Sequence, residues 1–265
     1  MSIDAADDKI ATVQEDAVKV WNVNSGEVVC AVEPGFPNSV ALSPSGKLLV
    51  LGTKDAPIVC NSQTGSLIRM LPPAAKGSIH FVSSKQIAAC HNENSISLWN
   101  LNTGKELARV EVAKHKDDSI HSADYSLDGK MAATVTFHRL ENDRNAVDII
   151  SLWNLVAKNV KEIDSIALPE SISCIALSPD ASLIACGLRQ SLGLWNTKSG
   201  KKVASVHLEG RQLNTLAFTN DGAKLAGASA ANVKIWNVED LITPKATGAP
   251  ASSFEIPPET NIAGK

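Results

Sequence analysis

The segment HKDDSIHSAD, residues 115–124, concentrates side chains that could bind a divalent metal ion. Its imidazole and carboxylate side chains are His115, Asp117, Asp118, His121 and Asp124. Both groups are common ligands of such ions. Along a β-strand, however, neighbouring side chains point to opposite faces, and His121 and Asp124 differ in parity. We therefore interpret the cluster as solvated or structural and predict no metal site.

Motifs that mark common enzyme classes are absent from the sequence. It has no GxSxG nucleophile elbow, P-loop, GxGxxG fingerprint or HExxH metal motif. The cysteines are Cys30, Cys60, Cys90, Cys174 and Cys186. They form no CxxC pair and have no histidine at zinc-ligand spacing, and most lie in apolar runs. The sequence therefore predicts no enzymatic activity, no cofactor and a reducing, cytoplasmic setting, with Cys174 and Cys186 poorly placed for a disulfide.

Composition and charge exclude several classes of protein. Hydrophobic residues make up 44% and charged residues 20% of the 265 positions, which is typical of a globular domain. No stretch approaches the roughly 18 apolar residues needed to span a bilayer, and the acidic start lacks the apolar core of a signal peptide. The net charge is −3, with both signs interspersed. We therefore expect neither a membrane nor a nucleic acid as the principal partner.

Five tryptophans and one cysteine mark an internal repeat. Each ends a short apolar run, and most precede a glycine-containing turn, as in VKVWNVNSG and SLWNLNTG. The equivalent positions are Trp21, Cys60, Trp99, Trp153, Trp195 and Trp236. Subtracting neighbouring positions gives steps of 39, 39, 54, 42 and 41 residues. A second turn, such as SPSG or TNDG, lies 16 or 17 residues upstream in five copies and 27 upstream in the fourth, which predicts six repeats and one insertion.

Each repeat reads as four short strands. In the fifth copy, ISCIALS, SLIACGL, SLGLWN and KKVASVHL are separated by turn-forming residues. No segment offers a sustained helical period. A four-stranded meander cannot bury both of its faces alone, so repeated units must pack face to face. The prediction is an all-β fold, a β-propeller of about six four-stranded antiparallel blades.

The repeat length, the SPDG-like turn and the ending [LIV]-W-[ND]-x-x-[ST]-G resemble those of WD-repeat proteins, over residues 1 to about 243. The chain departs from that pattern in two ways. Asn follows every Trp where the family usually has Asp, and no Gly-His pair opens a blade. The family's buried His, Asp and Trp network is therefore expected to be largely absent. The tryptophans are expected to be core side chains rather than an aromatic cage.

The predicted domain boundaries follow the repeat. Residues 1–245 form the propeller, with blades at about 1–33, 34–72, 73–112, 113–168, 169–208 and 209–245. Residues 246–265 form a flexible tail rich in Pro, Ala and Ser, able to supply a closing strand near 252–256. The alternative is that the chain is an incomplete part of a larger propeller or multidomain protein.

The insertion and a second lengthened loop fall on one rim. With strands labelled a to d from the axis outward, the b–c and d–a loops share a rim because each hairpin reverses direction. HRLENDRNAV (138–147) is a b–c loop and AKHKDDS (113–119) a d–a loop. The resemblance implies that this rim receives partner peptides. The predicted partner-binding residues are Lys114, His115, Asp117, Asp118, His138, Arg139, Glu141, Asp143 and Arg144.

Three hypotheses about function follow. The first is a non-catalytic scaffold that docks partner proteins or peptides on this rim, the alternative for the loops being solvation without a partner. The second is a propeller enzyme or cofactor-binding domain with a site at the channel mouth, where His80 of the third copy could point. The third is a structural or sensory module of a larger multidomain protein.

Overall fold

The computed structural model of the chain describes most of its residues. They are 3–6, 8–14, 17–43, 45–73, 78–83, 87–91, 94–112, 118–139, 146–155, 161–168, 170–209, 212–229, 232–243 and 252–255. These residues form six four-stranded antiparallel sheets, the blades of a β-propeller, in which consecutive strands are hydrogen-bonded neighbours. The predicted fold class is confirmed. No helix in this described part is long and apolar enough to cross a bilayer.

Two compact units divide the chain. The first comprises Met1–Ile120, Asp128–Lys130 and Asn154–Lys161. Its sheets are β1 (Ile3–Ala6), β2 (Lys9–Gln14), β3 (Ala17–Asn22) and β4 (Val28–Val32); β5 (Pro37–Leu42), β6 (Leu48–Thr53), β7 (Ile58–Asn61) and β8 (Leu67–Met70); and β9 (Ser78–Ser83), β10 (Ile87–His91), β11 (Ser95–Asn100) and β12 (Lys105–Glu111).

The second unit comprises His121–Leu127, Met131–Trp153 and Glu162–Lys265. The remaining sheets are β13 (Ser119–Tyr125), β14 (Met131–Arg139), β15 (Ala146–Asn154) and β16 (Lys161–Leu168); β17 (Ile172–Leu177), β18 (Leu183–Leu188), β19 (Ser191–Asn196) and β20 (Lys202–His207); and β21 (Thr215–Phe218), β22 (Lys224–Ala228), β23 (Asn232–Asn237) and β24 (Ser252–Glu255). A helix, α1 (Val238–Ile242), lies between β23 and β24.

Apolar side chains fill the space between neighbouring sheets of each unit. In the first unit, one buried cluster joins the first and second sheets through Val20 and Leu49, and another joins the second and third through Val50 and Trp99. The second unit has corresponding clusters between its own neighbouring sheets. Strand β6 is an apolar run because both of its faces are covered, and it is buried over five of its six positions.

The repeated tryptophans belong to this core. Trp99, Trp153, Trp195 and Trp236 are buried, and Trp21 is half-buried, which confirms their predicted role. The Trp21 indole donates to the Thr12 hydroxyl at 2.9 Å, and Trp153 donates to a threonine hydroxyl in the same way. The indole nitrogen of Trp236 is buried with no hydrogen-bond partner among the described residues.

The asparagines that follow the repeated tryptophan or its equivalent close a turn in four of the repeats. The Oδ1 atom of Asn22 accepts hydrogen bonds from the backbone N–H groups of Asn24 and Ser25, at 2.9 and 3.0 Å. The turn ends at Gly26, whose N–H donates to the Asn22 carbonyl and whose φ of 70° favours glycine. Both bonds recur at Asn61 and Asn196, and Asn100 accepts one of them, from the backbone N–H of Thr103. An uncharged oxygen is sufficient to accept these backbone hydrogen bonds, which explains why Asn can replace the family's Asp.

The sixth sheet is completed by a strand that residues 238–251 separate from its neighbour in the sheet. Its β24 pairs antiparallel with β23, with Asn232 opposite Glu255 and Ile235 opposite Ser252. α1 occupies part of the connection, and its Val238 and Leu241 are buried against the last core cluster. The fourth strand of this sheet therefore comes from residues 252–255.

Candidate interaction surface

On the rim that carries the a–b and c–d turns, polar side chains form hydrogen bonds within the turns. Besides the asparagine-closed turns, the Ser43 hydroxyl accepts from the backbone N–H groups of Lys47 and Leu48, at 3.1 and 2.9 Å. The Ser178 hydroxyl donates to Asp180 at 2.7 Å, and this hydrogen bond lowers the pKa of the Asp180 carboxyl. These polar groups are occupied by the turns that they close.

The sequence-predicted contact residues come from the segments 113–119 and 138–147. The segment 140–145 follows β14 and precedes β15, so it connects a b strand to a c strand. Six of the predicted residues lie outside the described part of the chain: Lys114, His115, Asp117, Glu141, Asp143 and Arg144. His138 and Arg139 end β14, but their side chains are not described. Asp118 is described and its side chain is buried, with 7% of its surface exposed.

A buried carboxylate in the fourth sheet braces the next sheet of the second unit. Asp148, near the start of β15, accepts a hydrogen bond from the backbone N–H of Ile172 at 2.6 Å. The Nε2 atom of His121 lies 3.2 Å from the Ile172 carbonyl oxygen and 3.9 Å from Asp148 Oδ2. Because Ile172 begins β17, these contacts hold the entry of one sheet against the sheet that carries the insertion.

A second carboxylate contacts the other end of the same strand. Asp124 Oδ2 accepts from the backbone N–H of Leu177 at 2.7 Å. Burial raises the pKa of Asp124 to about 6, because desolvation outweighs this hydrogen bond and one from Tyr125. His121 and Asp124 thus contact opposite ends of β17 and do not converge. Among the described residues, no group of three or more His, Cys, Asp or Glu could hold a metal ion.

His80, the residue suggested for a channel site, lies in β9 of the first unit and pairs with Ala89 of β10. Burial lowers the pKa of its imidazole to about 4 through desolvation, so the ring is neutral near pH 7. A neutral imidazole can accept or donate a proton only when a reacting group lies within hydrogen-bond reach. His80 by itself supplies no catalytic constellation.

Phe36 is a rim residue that the sequence analysis did not select. It lies in the d–a loop between β4 and β5, is 82% exposed, and has a φ of 45°. The next residue, Pro37, pairs with Thr53, the last residue of β6, which places Phe36 at the rim end of that pair of strands. The sequence signal was an aromatic residue enclosed by glycine and proline, in PGFP.

Two further loops of the first unit lie around this strand end. The loop after β6 exposes Lys54 and Asp55. The loop after β8 is tied to it, because the backbone N–H of Leu71 donates to the Pro57 carbonyl at 2.9 Å. The exposed residues Pro72 and Pro73 follow directly. The surface around Phe36 thus combines an aromatic ring, prolines and charges of both signs.

Comparisons with known proteins give short or distant matches. The chain is 32% identical over 108 residues to pre-rRNA-processing protein IPI3 of Mycosarcoma maydis, covering 40% of this chain and 18% of that protein. It is 23% identical over 94 residues to WD repeat-containing protein 18 of Danio rerio, covering 35% and 22%. To transducin beta-like protein 2 of Homo sapiens it is 21% identical over 251 residues, covering 84% and 54%. The chain therefore spans about half or less of each of these relatives. No family model matches it.

A solved structure shares the fold. Hydrazine synthase of Kuenenia stuttgartiensis superposes with a TM-score of 0.72 at 14% sequence identity, over 90% of this chain and 76% of that one. At this identity the likeness concerns the backbone arrangement alone.

Proposed function

We propose that this chain, whose resemblance to WD-repeat β-propellers is confirmed, is a non-catalytic scaffold that docks partner proteins or peptides on the rim formed by its b–c and d–a loops. The observation that carries the proposal is the position of the long b–c connection of the fourth repeat, residues 140–145, which directly precedes the strand whose Asp148 braces the next sheet. A rigid base under a long loop is the usual arrangement of a recognition site.

The proposed contact residues are the nine selected from the sequence. They are Lys114, His115, Asp117, Asp118, His138, Arg139, Glu141, Asp143 and Arg144. Acidic and basic groups are interspersed among them, which suits a protein partner with complementary charges better than a phosphate backbone. The compartment that we propose is the cytoplasm, where the free thiols of Cys30, Cys60, Cys174 and Cys186 would remain reduced.

A second candidate follows from the relatives' names. The Mycosarcoma maydis relative is a pre-rRNA-processing protein, so the scaffold could serve an assembly that contains RNA. In that case the chain would still bind its neighbours through protein contacts. Captured complexes should then survive ribonuclease treatment, whereas complexes bridged by RNA would be lost.

The test is affinity capture followed by mass spectrometry. The intact chain is compared with a variant in which residues 140–145 are replaced by a short Gly-Ser turn, and with Lys198→Ser on the opposite rim as the control. We expect one or more partners to be captured by the intact chain and the control but not by the loop variant. Equal capture by all three, with equal thermal midpoints, would remove the insertion from the binding site.

A further inference from the structure

Phe36 combines two unfavourable features that packing does not explain. It is the most exposed of the large hydrophobic residues in the described part of the chain, at 82% against 60% for Leu67. A single exposed apolar residue is ordinary. Its φ of 45° is not, because a bulky residue rarely adopts the left-handed region, which costs about 1–2 kcal/mol. A ring that buries little surface gives no compensation within the chain itself.

The surrounding backbone holds this conformation in place. Gly35 also has a positive φ, of 75°, and the two residues form a tight bend. Pro37, which follows, is buried and opens the β5–β6 ladder opposite Thr53. The ring is therefore presented from a pinned loop. Because the backbone is already held, binding would cost mainly the rotamer freedom of the ring, and aromatic residues of this kind often dominate interfaces.

Charges near the ring indicate the kind of partner. Glu33 precedes it in the same loop and is exposed, and the neighbouring loop exposes Lys54 and Asp55. Among the described residues of these two loops, two acids accompany one base, whereas proteins that stack bases on aromatic rings surround them with positive charge. The same acids favour a protein surface that carries a basic side chain.

We propose that Phe36 is the aromatic anchor of a protein-docking site on the rim of the first unit. Its occupant is a protein with an apolar pocket that receives the ring, bordered by a Lys or Arg that pairs with Glu33 or Asp55. The proposal rests on the scaffold function and adds to it a residue, a place on the rim and the chemistry of the partner.

The central variant is Phe36→Gly, because glycine adopts a φ of 45° without strain while the ring is removed. Phe36→Tyr keeps the aromatic body, and Leu67→Thr removes an exposed apolar side chain from the outer strand β8 as a matched control. A partner captured by the intact chain is purified and titrated against all four proteins by calorimetry. We expect about 30-fold weaker binding for Phe36→Gly, as for a typical hot-spot residue, and changes under threefold for the other two.

Photocrosslinking identifies the surface that the ring contacts. With p-benzoylphenylalanine at position 36, the adduct should map to an apolar pocket of the partner that is flanked by Lys or Arg. The thermal midpoint of Phe36→Gly should equal or exceed that of the intact chain. A clearly lower midpoint would mean that the ring is structural and would overturn the proposal.

The remaining outcomes separate the two proposals. If the partner binds Phe36→Gly as tightly as the intact chain, the anchor is refuted and the scaffold function stands. If Leu67→Thr loses as much affinity as Phe36→Gly, the outer strand rather than the rim is the site. If a labelled single-stranded RNA binds the intact chain and not Phe36→Gly, the ring stacks on bases and the protein-partner proposal is wrong. If no partner is captured at all, both proposals fail.

Discussion

Replacing Asp124 by Asn should abolish one component of the pH dependence of stability. The carboxyl has a pKa of about 6 in the folded protein against an ordinary value of 3.8, because desolvation disfavours its charged form. The folded state therefore holds this proton more tightly than the unfolded state does. Stability from this group is present below pH 3.8 and is lost as the pH rises toward 6. Asn is neutral throughout and can still accept from Leu177.

The size of the effect follows from the pKa difference. Each pKa unit corresponds to about 1.4 kcal/mol, so a difference near two units gives an upper limit of about 3 kcal/mol. Asp124 keeps part of its surface exposed, and solvent screening reduces the effect. We expect Asp124→Asn to gain about 1–3 kcal/mol relative to the intact chain between pH 4 and pH 7.

Urea unfolding of both proteins, at steps of half a pH unit across this range, measures the difference in their free energies of unfolding. The contributions of other titrating groups cancel in that difference. Asp180→Asn is the control, because the hydrogen bond from Ser178 lowers the pKa of Asp180. Its difference curve should be nearly flat above about pH 5, because a carboxyl whose pKa lies below 3.8 is then ionised in both the folded and the unfolded state. A flat curve for Asp124→Asn would show that burial does not disfavour this carboxylate and would refute the reasoning.

Two further predictions concern the tryptophans. A methyl group on Gly193 would lie 2.4 Å from two ring carbons of Trp195, so Gly193→Ala should lower the free energy of unfolding by about 1–3 kcal/mol. Gly26 has open space around it but a φ of 70°, so Gly26→Ala should lower the free energy of unfolding by about 1 kcal/mol. Equal losses for the two variants in urea unfolding would contradict the steric argument. Trp236→Phe should lower the free energy of unfolding by about 1 kcal/mol less than Trp153→Phe, because only the Trp153 indole has a hydrogen-bond partner to lose. A larger loss of stability for Trp236→Phe would reverse this interpretation.

The fold could be predicted from the sequence because its signals are local and repeated. A tryptophan, the asparagine after it and a positive-φ glycine recur together, and each set closes one turn by contacts within a few residues. The pairing of β24 with β23 was harder to predict, since SSFEI is short and follows a proline-rich segment. Only the partner strand, and not the local pattern, gives it a place in the sheet.

The candidate surface was less accessible to sequence reasoning. Loop lengths predicted an enlarged rim, because hairpin parity fixes which loops share a side. The Asp148 brace was not predicted, since its partner is the backbone N–H of Ile172, which any residue would supply. Phe36 was missed because its conformation, and not its type, distinguishes it from an ordinary loop residue.

The last sheet has a consequence for the order in which strands detach during unfolding. In the other five sheets six residues or fewer separate consecutive strands, whereas residues 238–251 separate β24 from β23. Closing that longer connection costs more chain entropy, and the strand has only four residues with which to recover it. β24 is therefore expected to dock after the other strands and to detach first, so that the backbone amides it protects in β23 exchange with solvent deuterium ahead of those in the other central strands. Once β24 has detached, the edge of β23 is exposed. A strand from another chain could then pair with β23 in place of β24.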